Sequence, residues 1–514
     1  MTLEPTVVAS LLQRLHARDG AAQRQVIAPL TGDLLYDLPL SDESDVDSAM
    51  IQLRGAQMAW AARPLADRCA IMLRFHDLLL AEREQGLDIV QWETGKARRD
   101  AMEELIDVPL NARHYARDAR RLLRPRRHRG VFPMAVGVQQ LQHPKGVVGF
   151  LSPWNYPLTL AASDALPALI AGNAVLLKPD VQTTLTALWV VDLMIRAGLP
   201  SEVFGVVSGE GPEIGPKVID RVDYVMFTGS TRVGREVAAR CGERLIGCSL
   251  ELGGKNAMVV RADADVTRAA QIAARASFAN SGQLCISMER IYVHEDVFNS
   301  FLGAFAERAN HMTMSAAIGW SGDMGSLISA RQLDRVQAHV EDAVGQGAHL
   351  VAGGKPRPDV GPYFFEPTIL TGVTNGMALC RDETFGPVVS VYPVSSDSEA
   401  IAAANDSAFG LNGIVVTRDT REGRTIASKL HAGTVNINEA FGPSWGSTRA
   451  PMGGMGDSGL GRRHGDEGLL KYTESQTIAT QRFLGFDAQF GMTDETWTNT
   501  LAIALSAMKK LGLK

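Results

Sequence analysis

The chain has 514 residues, 51 Lys+Arg against 57 Asp+Glu, and a formal net charge of −6; this mild, mixed acidity argues against DNA or RNA as a main partner. Hydrophobic residues make up 45% and charged residues 21%, which excludes general disorder and is enough for about three domains or one elaborated large one. The 50 glycines follow no repeat, so they exclude collagen and point instead to tight turns and close backbone approaches.

The five cysteines, Cys69, Cys241, Cys248, Cys285 and Cys380, are scattered, odd in number and without a CxxC pair. Neither a disulfide framework nor a zinc site is expected from them, no metal is assigned, and a reducing compartment follows. The opening MTLEPTVVASLLQRL has acidic and polar residues early and no uninterrupted apolar stretch, so no secretory signal is expected. No window reaches the uncharged length of a membrane span. The expectation is a soluble, cytoplasmic protein.

From about Asp45 to Arg121 long-chain apolar residues recur at three- and four-residue intervals, predicting helices. One run, MLRFHDLLLAEREQGLDIVQWETG, ends in a glycine suited to a C-cap. The basic stretch 124–134 is read as a solvated face or a protected hairpin edge. From residue 146 onward short apolar runs alternate with helical segments: VVGFLS, NAVLLKP, FGVVSG and YVMFTGS, then AMVV, RIYVH, VVSVYPV and NGIVVT. This predicts two doubly wound α/β blocks with ligands at the strand C-termini.

Three residues in these blocks carry candidate chemistry. Asn155, in SPWNYPLT, stands between two prolines just after a strand; it is either an oxyanion donor or an Asx-turn residue. Glu251, in SLELGGKN, ends a strand at a glycine turn and is either a general base or a capping carboxylate. Cys285, in NSGQLCIS, would by itself more often be a small core hydrophobe, yet its polar, glycine-containing surroundings suggest a loop that exposes the sulfur.

Taken together, PWNYP, NAVLLKP, FTGS (227–230), ELGGKN, GQLC, ETFGPVV (383–389) and PMGGMGDSGLGR (451–462) occur in the order and spacing of the aldehyde dehydrogenase superfamily. The chain resembles that family from about residue 30 to 485, and within it the bacterial, mycobacterial-type NADP-dependent succinate-semialdehyde dehydrogenases. The resemblance implies two doubly wound α/β domains and a small β oligomerisation element. It places the cofactor domain at 1–123 and 144–255, the catalytic domain at 256–450, the oligomerisation element at 124–143 and 471–485, and an amphipathic extension at 486–514.

Position by position, the resemblance implies that Cys285 is the nucleophile, Glu251 the base for the deacylating water, and Asn155 the oxyanion donor. The reaction it implies runs through a cysteine adduct of the aldehyde, hydride loss to the nicotinamide, and hydrolysis of a thioester. Gly229 and Ser230 match the pyrophosphate turn, Glu383 the carboxylate on the nicotinamide ribose, and Phe385 and Trp154 cofactor-contacting rings. Lys178 matches the lysine at the adenosine ribose. NAD-specific members commonly carry Glu three residues later, where this chain has Val181; NADP is therefore the expected cofactor, with NAD accepted.

Substrate choice divides. The arginines that hold the distal carboxylate in succinate-semialdehyde enzymes correspond to Ser163 and Ala279 here, leaving Ser447 and Arg449 as candidate contacts. Succinate semialdehyde is the first expectation, a hydrophobic aliphatic or aromatic aldehyde the alternative. A non-catalytic, crystallin-like protein is a third reading, opposed by the presence of Cys285 and Glu251. The tail WTNTLAIALSAMKKLGLK places Trp497, Leu501, Ile503, Leu505, Met508 and Leu511 beside Lys509, Lys510 and Lys514. It is expected to dock at a subunit interface of a homodimer or homotetramer, to cover the substrate opening, or to touch a membrane surface.

Overall fold

The computed structural model describes residues 3–132 and 135–512; Pro133 and Met134 of the basic stretch and Lys514 of the tail lie outside the described residues. The chain divides into two compact units, Met1–Ala119 with Pro144–Tyr472, and Arg120–His143 with Thr473–Lys514.

The larger unit holds two large sheets and two small two-stranded ones. The apolar runs predicted as strands are Val147–Leu151, Ala174–Lys178, Phe204–Val206 and Tyr224–Thr228. The first three are buried at every residue, as they must be when helices cover both faces. With Gly247–Glu251 they form five parallel strands, and the two-residue strand Gly459–Leu460 pairs antiparallel at the edge. The sheet order is 459–460, 247–251, 224–228, 147–151, 174–178, 204–206. The second sheet has seven strands, ordered 349–352, 368–371, 388–394, 288–294, 256–260, 412–416, 434–437, parallel except at its first pair. Both large sheets therefore raise their parallel strand ends toward loops that can bind a ligand.

The expected helical region is four helices, Glu43–Ala62, Leu65–Ala81, Arg83–Thr94 and Arg98–Leu123. The glycine at the end of the third is its C-cap, with φ +74° at Gly95. The smaller unit contains a three-stranded sheet of Thr473–Gln481, Val136–Pro144 and Arg126–Arg129, and the helix Asp494–Lys510. On that helix Trp497 is buried, whereas Ile503 and Leu505 are exposed, as is Leu511 just beyond it. No helix among the described residues is long and apolar enough to cross a membrane.

Candidate active site

A cavity of about 460 Å³ is lined by Trp154, Asn155, Gly229, Ser230, Glu251, Cys285, Glu383 and Phe385 together. It shares Pro153, Trp154, Thr228, Gly229 and Ser230 with a second cavity of about 620 Å³, which reaches Lys178, Asp180 and the helix Thr231–Glu243. The two make one elongated cleft across the carboxyl ends of the strands.

The loop before Cys285 is held in an unusual backbone. Asn280 and Ser281 have φ of +50° and +53°, and Gly282 follows at +70°. A Cβ on Gly282 would stand 2.0 Å from the Gly386 carbonyl oxygen, so only glycine fits there. Side chains hold the strain in place: Ser281 Oγ donates to Gly325 O at 2.9 Å, and the Ile328 N–H donates to Gln283 Oε1 at 2.9 Å. Cys285 is half-buried, and its thiol is pushed up to about 12, first by burial and then by the Glu251 and Glu383 carboxylates. At rest the sulfur is a neutral thiol.

Asn155 is fixed from both ends. Its Nδ2 donates to Gln283 O at 3.1 Å, leaving the second N–H of the same amide for another acceptor. Its backbone carbonyl accepts from Lys96 Nζ at 2.6 Å and from Asn280 Nδ2 at 3.1 Å. Lys96 is itself paired, wholly buried, with Glu104, whose other oxygen accepts the Leu158 N–H at 3.0 Å at the start of the helix Pro157–Ala162. That ion pair ties the helix start to the Asn155 loop.

Glu251 ends its strand as predicted, 7% exposed, and its Oε1 has no hydrogen-bond partner among the described residues. Burial raises its carboxyl to about 7, against the pull of Arg463 and Lys471. Glu383 is likewise raised to about 7, by burial and then by Glu289; its Oε1 accepts the Gly254 N–H at 2.8 Å. The segment that carries Glu383 is clamped from two sides. Glu289, ion-paired with Lys255, accepts the Thr384 and Phe385 amides at 3.0 Å, and Gln332 Nε2 donates to Phe385 O at 2.7 Å. Phe385, at φ +56°, meets Trp154 edge-on at 5.6 Å.

The cleft fits a dinucleotide. Gly229 and Ser230 form the turn between Tyr224–Thr228 and Thr231–Glu243 and line the shared part of the cleft, at a helix start that no side chain caps. Lys178, at a strand end, lines the far cavity. Val181 does not: it is buried in the turn Val181–Thr183, while the neighbouring Asp180 lines the cavity with Oδ1 accepting the Gln182 N–H at 3.0 Å.

Two expected substrate contacts are corrected. Ser447 and Arg449 are exposed and absent from the cavity lining, because the segment bearing them turns outward. Arg449 Nη2 reaches Asp118 Oδ1 at 3.2 Å instead. Sequence reasoning also missed what does line the cavity beside Cys285: Tyr156, Leu160, Trp445, Met452 and Arg463. Tyr156 could have been read from PWNYP; Arg463, in a run of two arginines, gives no local signal of burial.

Comparison with known proteins agrees with this geometry. Residues 16–478 match the model of the aldehyde dehydrogenase family. A Mycolicibacterium smegmatis protein named "Putative succinate-semialdehyde dehydrogenase [NADP(+)]" is 50% identical over 96% of this chain and 95% of its own length. The "4,4'-diapolycopene aldehyde oxidase" of a Methylomonas species is 37% identical over 89% of this chain and 85% of its own. Among solved structures, betaine aldehyde dehydrogenase from Staphylococcus aureus in complex with NAD+ superposes with a TM-score of 0.87 at 28% identity, covering 95% of this chain and 100% of that one.

Proposed function

The chain belongs to the aldehyde dehydrogenase family and oxidises an aldehyde to its carboxylic acid with a nicotinamide cofactor; on that premise we propose how its residues divide the work and which aldehyde they take. The observation that carries the proposal is the convergence of Cys285, Asn155, Glu251 and Glu383 on one cavity.

Cys285 is the nucleophile: its thiol gives up the proton to water, and Sγ adds to the aldehyde carbon as the carbonyl π bond breaks. The alkoxide that forms takes the second N–H of Asn155 and the backbone N–H of Cys285. Two-electron oxidation of this adduct to a thioester is the chemistry that a bound nicotinamide cofactor supplies. Glu251 then takes a proton from the water that attacks the thioester, and the acid leaves. Gly229 and Ser230 hold the pyrophosphate, Glu383 the nicotinamide ribose, and Trp154 and Phe385 flank it. NADP is preferred and NAD accepted. Lys178, Arg232 and Arg240 line the far cavity and offer cations to a 2′-phosphate; Asp180 brings a carboxylate to the same lining, and Val181 does not reach it.

Succinate semialdehyde is the first candidate substrate, carried over from the name of the 50% identical relative. A hydrophobic aldehyde is the second, favoured by the lining of Tyr156, Leu160, Trp445 and Met452 and by the outward turn of Arg449. The Methylomonas relative's name points the same way. A kcat/KM panel of succinate semialdehyde, hexanal and benzaldehyde, each with NAD and NADP, decides: the first reading requires succinate semialdehyde with NADP to lead, and a lead for hexanal or benzaldehyde replaces it with the second. The scattered free cysteines fit a cytoplasmic enzyme, and a homodimer or homotetramer is the proposed assembly.

A further inference from the structure

Arg463 is 8% exposed and lines the catalytic cavity, and the mechanism above gives it no role. It arrives there by a local fold that could not place it elsewhere. Met452 and Arg463 exchange backbone hydrogen bonds, Met452 N–H to Arg463 O at 2.8 Å and Arg463 N–H to Met452 O at 2.6 Å. Between them the strand Gly459–Leu460 pairs with the end of the Glu251 strand, Gly459 opposite Glu251. Gly453 comes so close that a Cβ on it would lie 3.2 Å from Glu251 Oε1.

The guanidinium is clamped rather than free. Nε donates to Asp164 Oδ1 at 3.2 Å and Nη2 stands 3.0 Å from Asp164 Oδ2. Lys471 Nζ stands 3.8 Å from Asp164 Oδ1, the oxygen that also accepts Arg463 Nε. Burying these groups is costly unless their charges balance. Arg463 and Lys471 bring two positive charges and Asp164 one negative. The set is neutral when Glu251 is a carboxylate. Arg462, half-buried on the same turn, adds a further cation near Glu251, its Nη1 donating to Gly454 O at 3.0 Å and Gly461 O at 2.7 Å; Cys285 is a neutral thiol at rest. His464 is held neutral by burial and by Arg463, its pKa lowered to about 3. Asp107, farther out, accepts from Ser163 Oγ at 2.6 Å and lies 4.0 Å from His464.

We propose that Arg463, clamped by Asp164, is a positioning residue for the reaction: it acts through Glu251, supplying the buried positive charge against which that side chain exists as a base. The inference rests on the reading of Glu251 as the deacylating base. Its distinguishing feature is sign. Removing Arg463's charge takes a cation away from Glu251 and leaves Lys471 and Asp164 cancelling, so Glu251 holds its proton to higher pH; removing Asp164's charge takes an anion away and leaves the cations unopposed, so Glu251 gives up its proton at lower pH. A merely structural ion pair would be damaged alike from either end.

The test is the pH profile of the steady-state hydrolysis of p-nitrophenyl acetate, which acylates Cys285 without cofactor. Arg463→Gln should move the acid limb up by about one pH unit and Asp164→Asn down by a similar amount, with Arg463→Lys restoring the wild-type limb. Acid limbs that stay put, or move the same way in both variants, overturn the proposal. Should Arg463→Gln fail to fold, the downward shift in Asp164→Asn and the rescue by Arg463→Lys still decide it. Glu251→Gln separates the two levels. If it loses hydrolysis while the other limbs stay fixed, only the role of Arg463 is wrong; if it hydrolyses at the wild-type rate, the base reading fails and this proposal with it.

Discussion

At Glu251 burial and charge pull in opposite directions, and burial wins: the carboxyl lies near 7 rather than in the usual carboxylate range. Because its pKa is raised, the base form is present above about pH 7 and is lost below it. Hydrolysis of the thioester should therefore fall about tenfold per unit below that point, and stopped-flow measurement of the acid-forming step would show it. A rate flat down to pH 5 would contradict the role. Arg449 makes the opposite kind of prediction. It is exposed and tied to Asp118, so Arg449→Ala should leave the ratio of succinate semialdehyde to hexanal turnover within about twofold. Cys285, Glu251 and Asn155 were legible in the sequence because each stands in a short motif at a strand end or loop. Arg463 and Glu289 were not, because each matters through partners far away in the chain, Asp164 and the Thr384–Phe385 amides.

The elements themselves were readable from apolar runs: every strand expected in the two α/β blocks is present in the sheets. What periodicity cannot supply is the company each strand keeps. The two-residue strand Gly459–Leu460 is too short to announce itself, yet its pairing with Gly247–Glu251 brings Gly453 and Arg463 to the base. The loop before Cys285 is the element most exposed to a single change. At Gly282 a methyl group would meet the Gly386 carbonyl, and the positive φ adds strain that an L-residue resists. Gly282→Ala should cost upward of about 2 kcal/mol in denaturant unfolding and displace Cys285, so that alkylation of the thiol and aldehyde turnover fall together. Unchanged turnover with normal stability would show that the left-handed turn does not place the sulfur.

Across the whole molecule, one cleft joins a pocket around Cys285 to a pocket around Lys178, with the turn at Gly229 and Ser230 where they meet. The cofactor preference belongs to this scale, since it depends on the charge at the far end of the cleft. Lys178→Ala should raise KM for NADP by about tenfold and for NAD much less; equal losses would remove Lys178 from 2′-phosphate recognition. The central claim is that the aldehyde carbon becomes bonded to Cys285 and is released by Glu251. Mass spectrometry of Glu251→Gln, mixed with NADP and aldehyde and quenched in acid, tests it directly. An acyl adduct of the substrate's mass is expected on the peptide carrying Cys285 and absent from Cys285→Ala. No adduct, or an adduct on any other residue, would contradict it.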